Sequence, residues 1–247
     1  MGNKIKIQIK DLWFYYKAGP ILENIHVGIP ENTITSITGP SGQGKSSFLM
    51  TLNRIWQNID GASVKGEVKI NFGNGFKDIN YPNYPLPQLR KKVGMVFQVP
   101  NPLPTSIYKN IAFPLKLIGE KNRKKIFPKI EYALKKAFLW EEVKDRLKED
   151  ANVLSVGQQQ RLCIARALVL EPQILMLDEP TSSLDETSLE MIEQLLLKLK
   201  KKCTIILVSH YMDQIKRIAD KKLVLSNRQL KQQEEEDPLK KKIDTPL

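Results

Sequence analysis

Residues 39–46 read Gly-Pro-Ser-Gly-Gln-Gly-Lys-Ser, a full match to the pattern G-x-x-x-x-G-K-[ST]. The octapeptide follows a short apolar run, Ile34–Thr38. It opens Ser46–Trp56, in which Phe48, Leu49, Leu52 and Ile55 fall at helical spacing. A strand that turns through glycines into a helix is the setting the pattern requires. The glycines let backbone N–H groups curl round an anion, and the helix N-terminus adds favourable partial charge. Gly39, Pro40, Ser41, Gly42, Gln43, Gly44, Lys45, Ser46 and Ser47 are therefore the candidate phosphate-binding residues. Lys45 is expected to reach the β- and γ-phosphates of a nucleotide, and Ser46 to offer its hydroxyl to Mg²⁺. The bland alternative is a glycine turn with no ligand. A chance match in a chain of this length is on the order of one per cent, given ordinary glycine usage.

A second apolar stretch, Ile174–Glu179 (ILMLDE), has the pattern of a buried strand ending in two adjacent carboxylates. Such a strand holds Asp178 at its carboxyl end, where open α/β sheets bind ligands. Asp178 is expected to orient Mg²⁺ through water, and Glu179 to polarise or deprotonate the attacking water. Alone, the pair reads as an acidic turn; with a phosphate loop upstream the catalytic reading takes over. His210 follows the next apolar strand, in TIILVSH, and Gln98 follows VGMVF. Each alone is a weak signal. Their parallel placement at strand ends makes both candidates for the same site, Gln98 as a metal ligand or water-positioning group.

Strands expected at Ile5–Ile9, Ile34–Thr38, Gly66–Asn71, Val93–Phe97, Ile174–Leu177 and Thr204–Val208 alternate with helices expected at Ser46–Trp56, Gln158–Leu170 and Leu189–Lys200. This order argues for an α/β core with a mostly parallel sheet. Residues 111–150 are charged and helical in pattern, with Pro114 and Pro128 among them, and read as a subdomain inserted in that core. The stretch after Lys231 is dense in charge and is expected to fray.

Leu154–Arg161 reads LSVGQQQR and directly precedes a helix and the strand bearing Asp178. Here the sequence resembles the nucleotide-binding subunits of ABC transporters, whose signature is LSGGQ followed by a basic helix. The ordered set is complete: phosphate loop, Gln98, LSVGQ, LDEP, SSLD at Ser182–Asp185, and His210. The resemblance covers residues 5–224. It implies a P-loop NTPase core of the ABC ATPase type, with an N-terminal antiparallel β layer and an inserted helical subdomain at about residues 100–165. The whole ATPase domain spans 1–231, and a charged tail spans 232–247. Ser155, Gly157 and Gln158 would cap ATP held by a second copy of the chain, since a helix headed by Ser155 and Gly157 is an anion site that cannot fold onto its own phosphate loop. Asp185 would link the two sites across the dimer, and His210 would steady the γ-phosphate and water. Tyr16 resembles the aromatic that stacks on adenine, with Tyr15 the second candidate; both are also explained as packing in the β layer. Val156 departs from the family's Gly, and its apolar side chain would alter how tightly the dimer closes.

Finer resemblance lies in Leu52–Val68, Val96–Ala112, Leu139–Leu147 and QQQRLCIARAL after the signature, all similar to the ATP-binding subunit of bacterial phosphate importers. The prolines of NPLPTSIY, just past Gln98, would stiffen the loop on which that family docks a membrane subunit. The C-terminal stretch, Val156 and Glu186 do not follow that group. The resemblance implies Mg²⁺ with ATP, a homodimer, two transmembrane permease subunits and, indirectly, an extracellular solute-binding protein. It also implies a place on the cytoplasmic face of the cell membrane. Rival readings are an ATPase for another solute, importing or exporting, a soluble ABC-type ATPase acting on nucleic acid or assembly, and a degenerate nucleotide-binding module.

Composition narrows the remaining classes. The net charge is +12 and the pI near 9.5, which raises the prior for nucleic acid, anionic membrane or phosphorylated ligands. Aromatics are 7% and do not interleave with basic residues, so no nucleic acid partner is expected. The runs KNRKK, KLKKK and KKK read as solvated charge. Cys163 and Cys203 are read as packing residues, not as a staple or a metal pair. No apolar run approaches the roughly 20 residues of a membrane span, and Met1–Lys10 lacks the apolar centre of a signal peptide.

Overall fold

The computed structural model describes residues 4–17, 19–182 and 184–233. Two sheets make its body. The first is antiparallel: β1 (Ile5–Tyr16) pairs with β2 (Gly19–Pro30) on one side and β4 (Ser63–Asn71) on the other, and β4 carries the short β5 (Phe76–Asp78). The second has the order β10-β9-β3-β8-β7-β6. Within it β3 (Ile34–Thr38), β6 (Val93–Val96), β7 (Ile174–Asp178), β8 (Thr204–Val208) and β9 (Lys221–Ser226) run parallel. Only β10 (Gln229–Gln232) runs antiparallel, at the edge.

Every residue of β3, β7 and β8 is buried, as strands covered on both faces must be; β7 and β8 therefore read as nearly continuous apolar runs, while β3 also buries the hydroxyls of Thr35, Ser36 and Thr38. One face meets α1 (Lys45–Asn53) and the first sheet, in a core that joins Phe48 and Leu52 to Ile7, Leu12, Met176 and Ile206. The other face meets α6 (Val156–Leu168) and α7 (Glu186–Leu199) through Ile164, Leu175, Ile192 and Leu207. The helical insertion has its own core. There α3 (Ile107–Leu117), α4 (Arg123–Lys136) and the one-turn α5 (Trp140–Val143) pack Ile111, Leu115, Ile130 and Leu134 against Leu162 and Ala165 of α6. No helix among the described residues is long and apolar enough to cross a membrane.

Several elements differ from the sequence reading. The helix expected over Ser46–Trp56 stops at Asn53, because Arg54 turns left-handed (φ 56°) before a 3₁₀ turn at Ile55–Asn58. Pro114 and Pro128 lie inside α3 and α4 without breaking them. Each costs one helical hydrogen bond, which packing of the apolar face outweighs. Strand β1 runs on to Tyr16, past a register shift at Asp11 (φ 50°) that moves the buried positions from Ile7 and Ile9 to Leu12 and Phe14. That change of parity ends the simple alternation after Ile9. Strands β2, β9 and β10, the short α2 (Leu86–Lys92) and α8 (Met212–Ile218) were not expected either. Strand β10 takes up Gln232, one residue into the segment read as tail, and residues 234–247 lie outside the described residues.

The irregularity in β1 is matched on β4. At Gly66 (φ +91°) a Cβ would collide with the carbonyl oxygen of Asp11, so only glycine lets the two strands stay paired through the bulge. Gly66→Ala is expected to lower the free energy of unfolding by about 2–4 kcal/mol. Gly73→Ala has a similar φ but no neighbour within 4 Å, and is expected to cost only about 1 kcal/mol. Urea denaturation of both variants checks the difference.

Candidate active site

The turn from β3 into α1 carries three left-handed glycines, Gly39 (φ +137°), Gly42 (φ +76°) and Gly44 (φ +99°). A Cβ on Gly39 would strike the Leu225 carbonyl of β9, so close strand approach as well as conformation demands glycine there. The Lys45 ammonium is buried beneath the turn and donates hydrogen bonds to Gly39 O (2.9 Å) and Pro40 O (3.0 Å). Burial pushes its pKa down, while Glu179 and Asp178 oppose that shift. A lysine beneath a turn of left-handed glycines, next to Asp178 and Glu179, is an arrangement that can hold a phosphate.

Asp178 ends β7, buried with the Ser46 hydroxyl beside its carboxylate. Burial, with Glu179 alongside, pushes the Asp178 pKa up, against the opposing influence of the Ser46 hydroxyl, Lys45 and His210. Glu179 is one residue past the strand in a left-handed conformation (φ 44°), and its N–H donates to Val208 O at 3.0 Å. One carboxylate oxygen lies 2.8 Å from His210 Nε2, and the other accepts from Gln98 Nε2 at 3.1 Å. The three side chains come from the ends of β6, β7 and β8, neighbours in the sheet. They converge on a cleft of about 440 Å³ that Ser41, Gly42, Gly44, Lys45, Ser46 and Ser47 also line. Their parallel placement at strand ends pointed to one site; the structure adds the contacts of Glu179 with Gln98 and His210.

Tyr16 is exposed at the end of β1, whereas Tyr15 stacks on Trp13 (6.1 Å between ring centroids) beneath the Lys65 ammonium. Of the two, Tyr16 has the ring face available. Neither lines the cleft.

Ser155 caps α6 and forms a reciprocal box: its Oγ accepts from Gln158 N (3.3 Å), and Gln158 Oε1 accepts from Ser155 N (3.0 Å). None of Ser155, Gly157 and Gln158 lines the phosphate-loop cleft. The Gln158 side chain is further committed to its own chain, since its Nε2 donates to Glu142 at 2.8 Å. Val156 is exposed beside them. Asp185 caps α7, accepting from Ser188 N (2.8 Å) and Ser188 Oγ (3.1 Å). Ser183, within the SSLD segment, lies outside the described residues.

Several structuring residues escaped the sequence reading. Asn110 donates to the carbonyls of Leu103 (3.1 Å), Thr105 (3.2 Å) and Ser106 (3.1 Å) and accepts from Leu103 N (2.8 Å), fixing the proline-rich loop past Gln98. Arg166 of α6 holds the same loop through Asn101 O (2.9 Å) and Asn101 Oδ1 (2.6 Å). Gln214 Oε1 accepts from both Ser209 (2.9 Å) and Thr181 (3.3 Å), joining the segments after β7 and β8. A buried Asn or Gln at helical spacing was the one available signal, and it does not say which backbone it serves.

Glu142 is the node between signature and insertion. It takes a two-point contact from Arg161 (2.6 and 3.1 Å) besides the Gln158 bond, and Arg161 also donates to Phe138 O (2.6 Å). Burial opposes ionisation of Glu142, but bonds from Arg161 and Gln158 outweigh it and hold its carboxyl below the usual range. Removing Glu142 strands a nearly buried guanidinium. Glu142→Ala is expected to cost about 1–3 kcal/mol, less than for a fully buried pair because Glu142 is partly exposed. A depressed carboxyl stabilises fully above its ordinary pKa and stops doing so as pH falls through the folded-state value. In urea titrations the gap between parent and variant should therefore narrow on acidification.

Comparison with known proteins fits this geometry. Residues 22–182 match the family profile described as ABC transporter. The chain is 48% identical over 217 residues to the phosphate import ATP-binding protein PstB of Cytophaga hutchinsonii, covering 88% of this chain and 86% of that one. It is 45% identical to the protein of the same name from Borrelia garinii subsp. bavariensis, covering 96% and 90%. Among solved structures it superposes on cbiO1 of Clostridium perfringens, part of the ABC transporter complex cbiONQ, with a TM-score of 0.78. That match has 27% identity and covers 93% of this chain and 88% of the other. The chain belongs to the ABC transporter family of ATP-binding proteins.

Proposed function

We propose that this chain is the ATP-hydrolysing subunit of a phosphate importer, working as a homodimer under two transmembrane permease subunits at the cytoplasmic face of the membrane. The observation that carries the enzymatic part is the convergence of Gln98, Glu179 and His210 on the cleft that Lys45 lines. The cargo follows from the relatives, both phosphate import proteins at 45–48% identity over most of the chain. An extracellular solute-binding protein would choose the ion, so no phosphate-specific pocket is required in this subunit.

The residues present suit Mg²⁺ with ATP. Asp178 and the Ser46 hydroxyl are adjacent oxygen donors, and Gln98 offers a further amide oxygen at the same cleft. No cluster of three or more His, Cys, Asp or Glu forms a cage among the described residues. That donor set fits a hard cation that shares its shell with phosphate and water. When bound, the ion would neutralise charge on the transferring phosphoryl group. Lys45 and the N–H groups of Gly39–Ser47 would bind the phosphates, exchanging the carbonyl contacts of Lys45 for phosphate oxygens. Glu179 would take the proton of the attacking water, with Gln98 and His210 fixing its two oxygens. A carboxylate held at both oxygens keeps one orientation towards the water, which is worth more than its basicity alone. Ser155 and Gly157, which do not line this cleft, would close over the nucleotide of a second copy, with Asp185 at the contact and Tyr16 against adenine.

Glu179→Gln keeps the size and hydrogen-bonding capacity of the side chain but removes the base. Hydrolysis should fall by at least about a hundredfold, while ATP drives the variant into a stable dimer visible by size-exclusion chromatography. Normal turnover in that variant would overturn the role of Glu179. The cargo is tested by purifying the complex from its native membrane and measuring ATP-dependent uptake of labelled phosphate into vesicles. Uptake of another solute, but not phosphate, would keep the ATPase and overturn the cargo.

A further inference from the structure

A groove of about 570 Å³ opens at the end of the sheet opposite the nucleotide cleft. One wall is the end of α4 and the turn after it, with Tyr132, Lys135, Lys136 and Phe138. The facing wall is the end of α7 and the lead into β8, with Lys198, Lys201 and Lys202. Leu168, Pro172, Leu195 and Leu199 supply an apolar floor. Cys203 and Pro172 lie just before β8 and β7, whereas Asp178 and His210 lie at their far ends, so about 16 Å of strand separates the two sites.

The charge in this groove is one-sided. Five lysines line it against a single carboxylate, Glu171. Lys135 is paired with Glu131 at 2.6 Å. Lys136, Lys198, Lys201 and Lys202 make no ion pair among the described residues. Two of these ammoniums rest on aromatic faces: Lys136 over Tyr132 (4.2 Å) and Lys198 over Phe138 (4.9 Å). The Lys198–Phe138 contact crosses the groove from the core to the helical subdomain. Cations gathered over carbon, without their own carboxylates, complement an anion that also carries an apolar body. A bare inorganic ion would leave the floor unused.

We propose that this groove is a second ligand site, for a small organic phosphate. Its phosphate lies among Lys136, Lys198, Lys201 and Lys202, and its apolar part lies on Leu168, Pro172, Leu195 and Leu199. Contacts from both walls tie the helical subdomain to the core, which makes the ligand a brake on relative movement of the two. The site owes nothing to the ATPase reading, since no residue in it touches the nucleotide cleft.

The test is a fluorescence titration of the full chain with naphthyl phosphate, with the Lys45→Ala variant reporting any binding at the nucleotide cleft. Saturable binding of one probe per chain is expected, weakening as salt rises. Affinity should fall at least about tenfold in Lys198→Glu/Lys202→Glu and stay unchanged in Lys45→Ala. Lys198 and Lys202 are exposed, so the double variant should keep the parent circular dichroism and melting temperature, and the salt series tests the charge requirement without any variant. Naphthol and inorganic phosphate, as competitors, should each be at least about tenfold weaker than the probe. Absence of saturation, equal affinity in the double variant, loss of binding in Lys45→Ala, or indifference to salt would each overturn the site. Equal competition by naphthol or by inorganic phosphate would overturn the ligand class.

Discussion

Burial of three strands on both faces is the constraint on which the rest of this molecule depends. Because β3, β7 and β8 admit no exposed side chain, they lie at the centre of the second sheet and run parallel, with helices above and the antiparallel sheet below. Their carboxyl ends then fall side by side. The phosphate loop leaves one end, Asp178 and Glu179 another, Ser209 and His210 the third. The site thus sits where these strands stop, with Asp178 the last residue of β7 and Glu179 and His210 just past β7 and β8.

Placement at strand ends also explains the local strain. Glu179 adopts a left-handed backbone one residue after a fully buried strand, and its N–H still reaches Val208 O. A non-glycine residue in that region costs on the order of 1–3 kcal/mol unless its surroundings over-determine it. Here they do: a ladder bond holds the backbone, while His210 and Gln98 hold the two carboxylate oxygens. In this conformation the Glu179 side chain lines the cleft.

Much of this was legible in the sequence, and the limits have physical causes. Strands β7 and β8 were readable because burial on both faces leaves an almost continuous apolar run, and β3 by the glycine turn that follows it. The phosphate loop was readable because backbone geometry there admits only glycine at fixed offsets. The antiparallel sheet was expected from the family resemblance, not from local pattern, since the bulge at Asp11 and Gly66 shifts the parity of β1 and dissolves the alternation that marks a half-buried strand. Gln98, Glu179 and His210 could be named one by one, but their bonding to each other depends on strand order, which no local pattern encodes. Glu142 lay within a stretch noted only for its likeness to phosphate importers. Its pairing with Gln158 and Arg161 joins residues 16 and 19 positions apart, beyond the reach of helical or strand periodicity.

The fastening of the proline-rich loop has a mechanical consequence. Asn110 binds it from α3 and Arg166 binds it from α6, and Gln160 of α6 also holds Phe97 O, just before Gln98. Prolines at 100, 102 and 104 remove what compliance the segment would have. A displacement applied to this loop therefore has almost no slack to take up. A push on it would bear on α6 through Asn101 and Arg166 and on α3 through Asn110, and α6 is headed by Ser155 and Gly157.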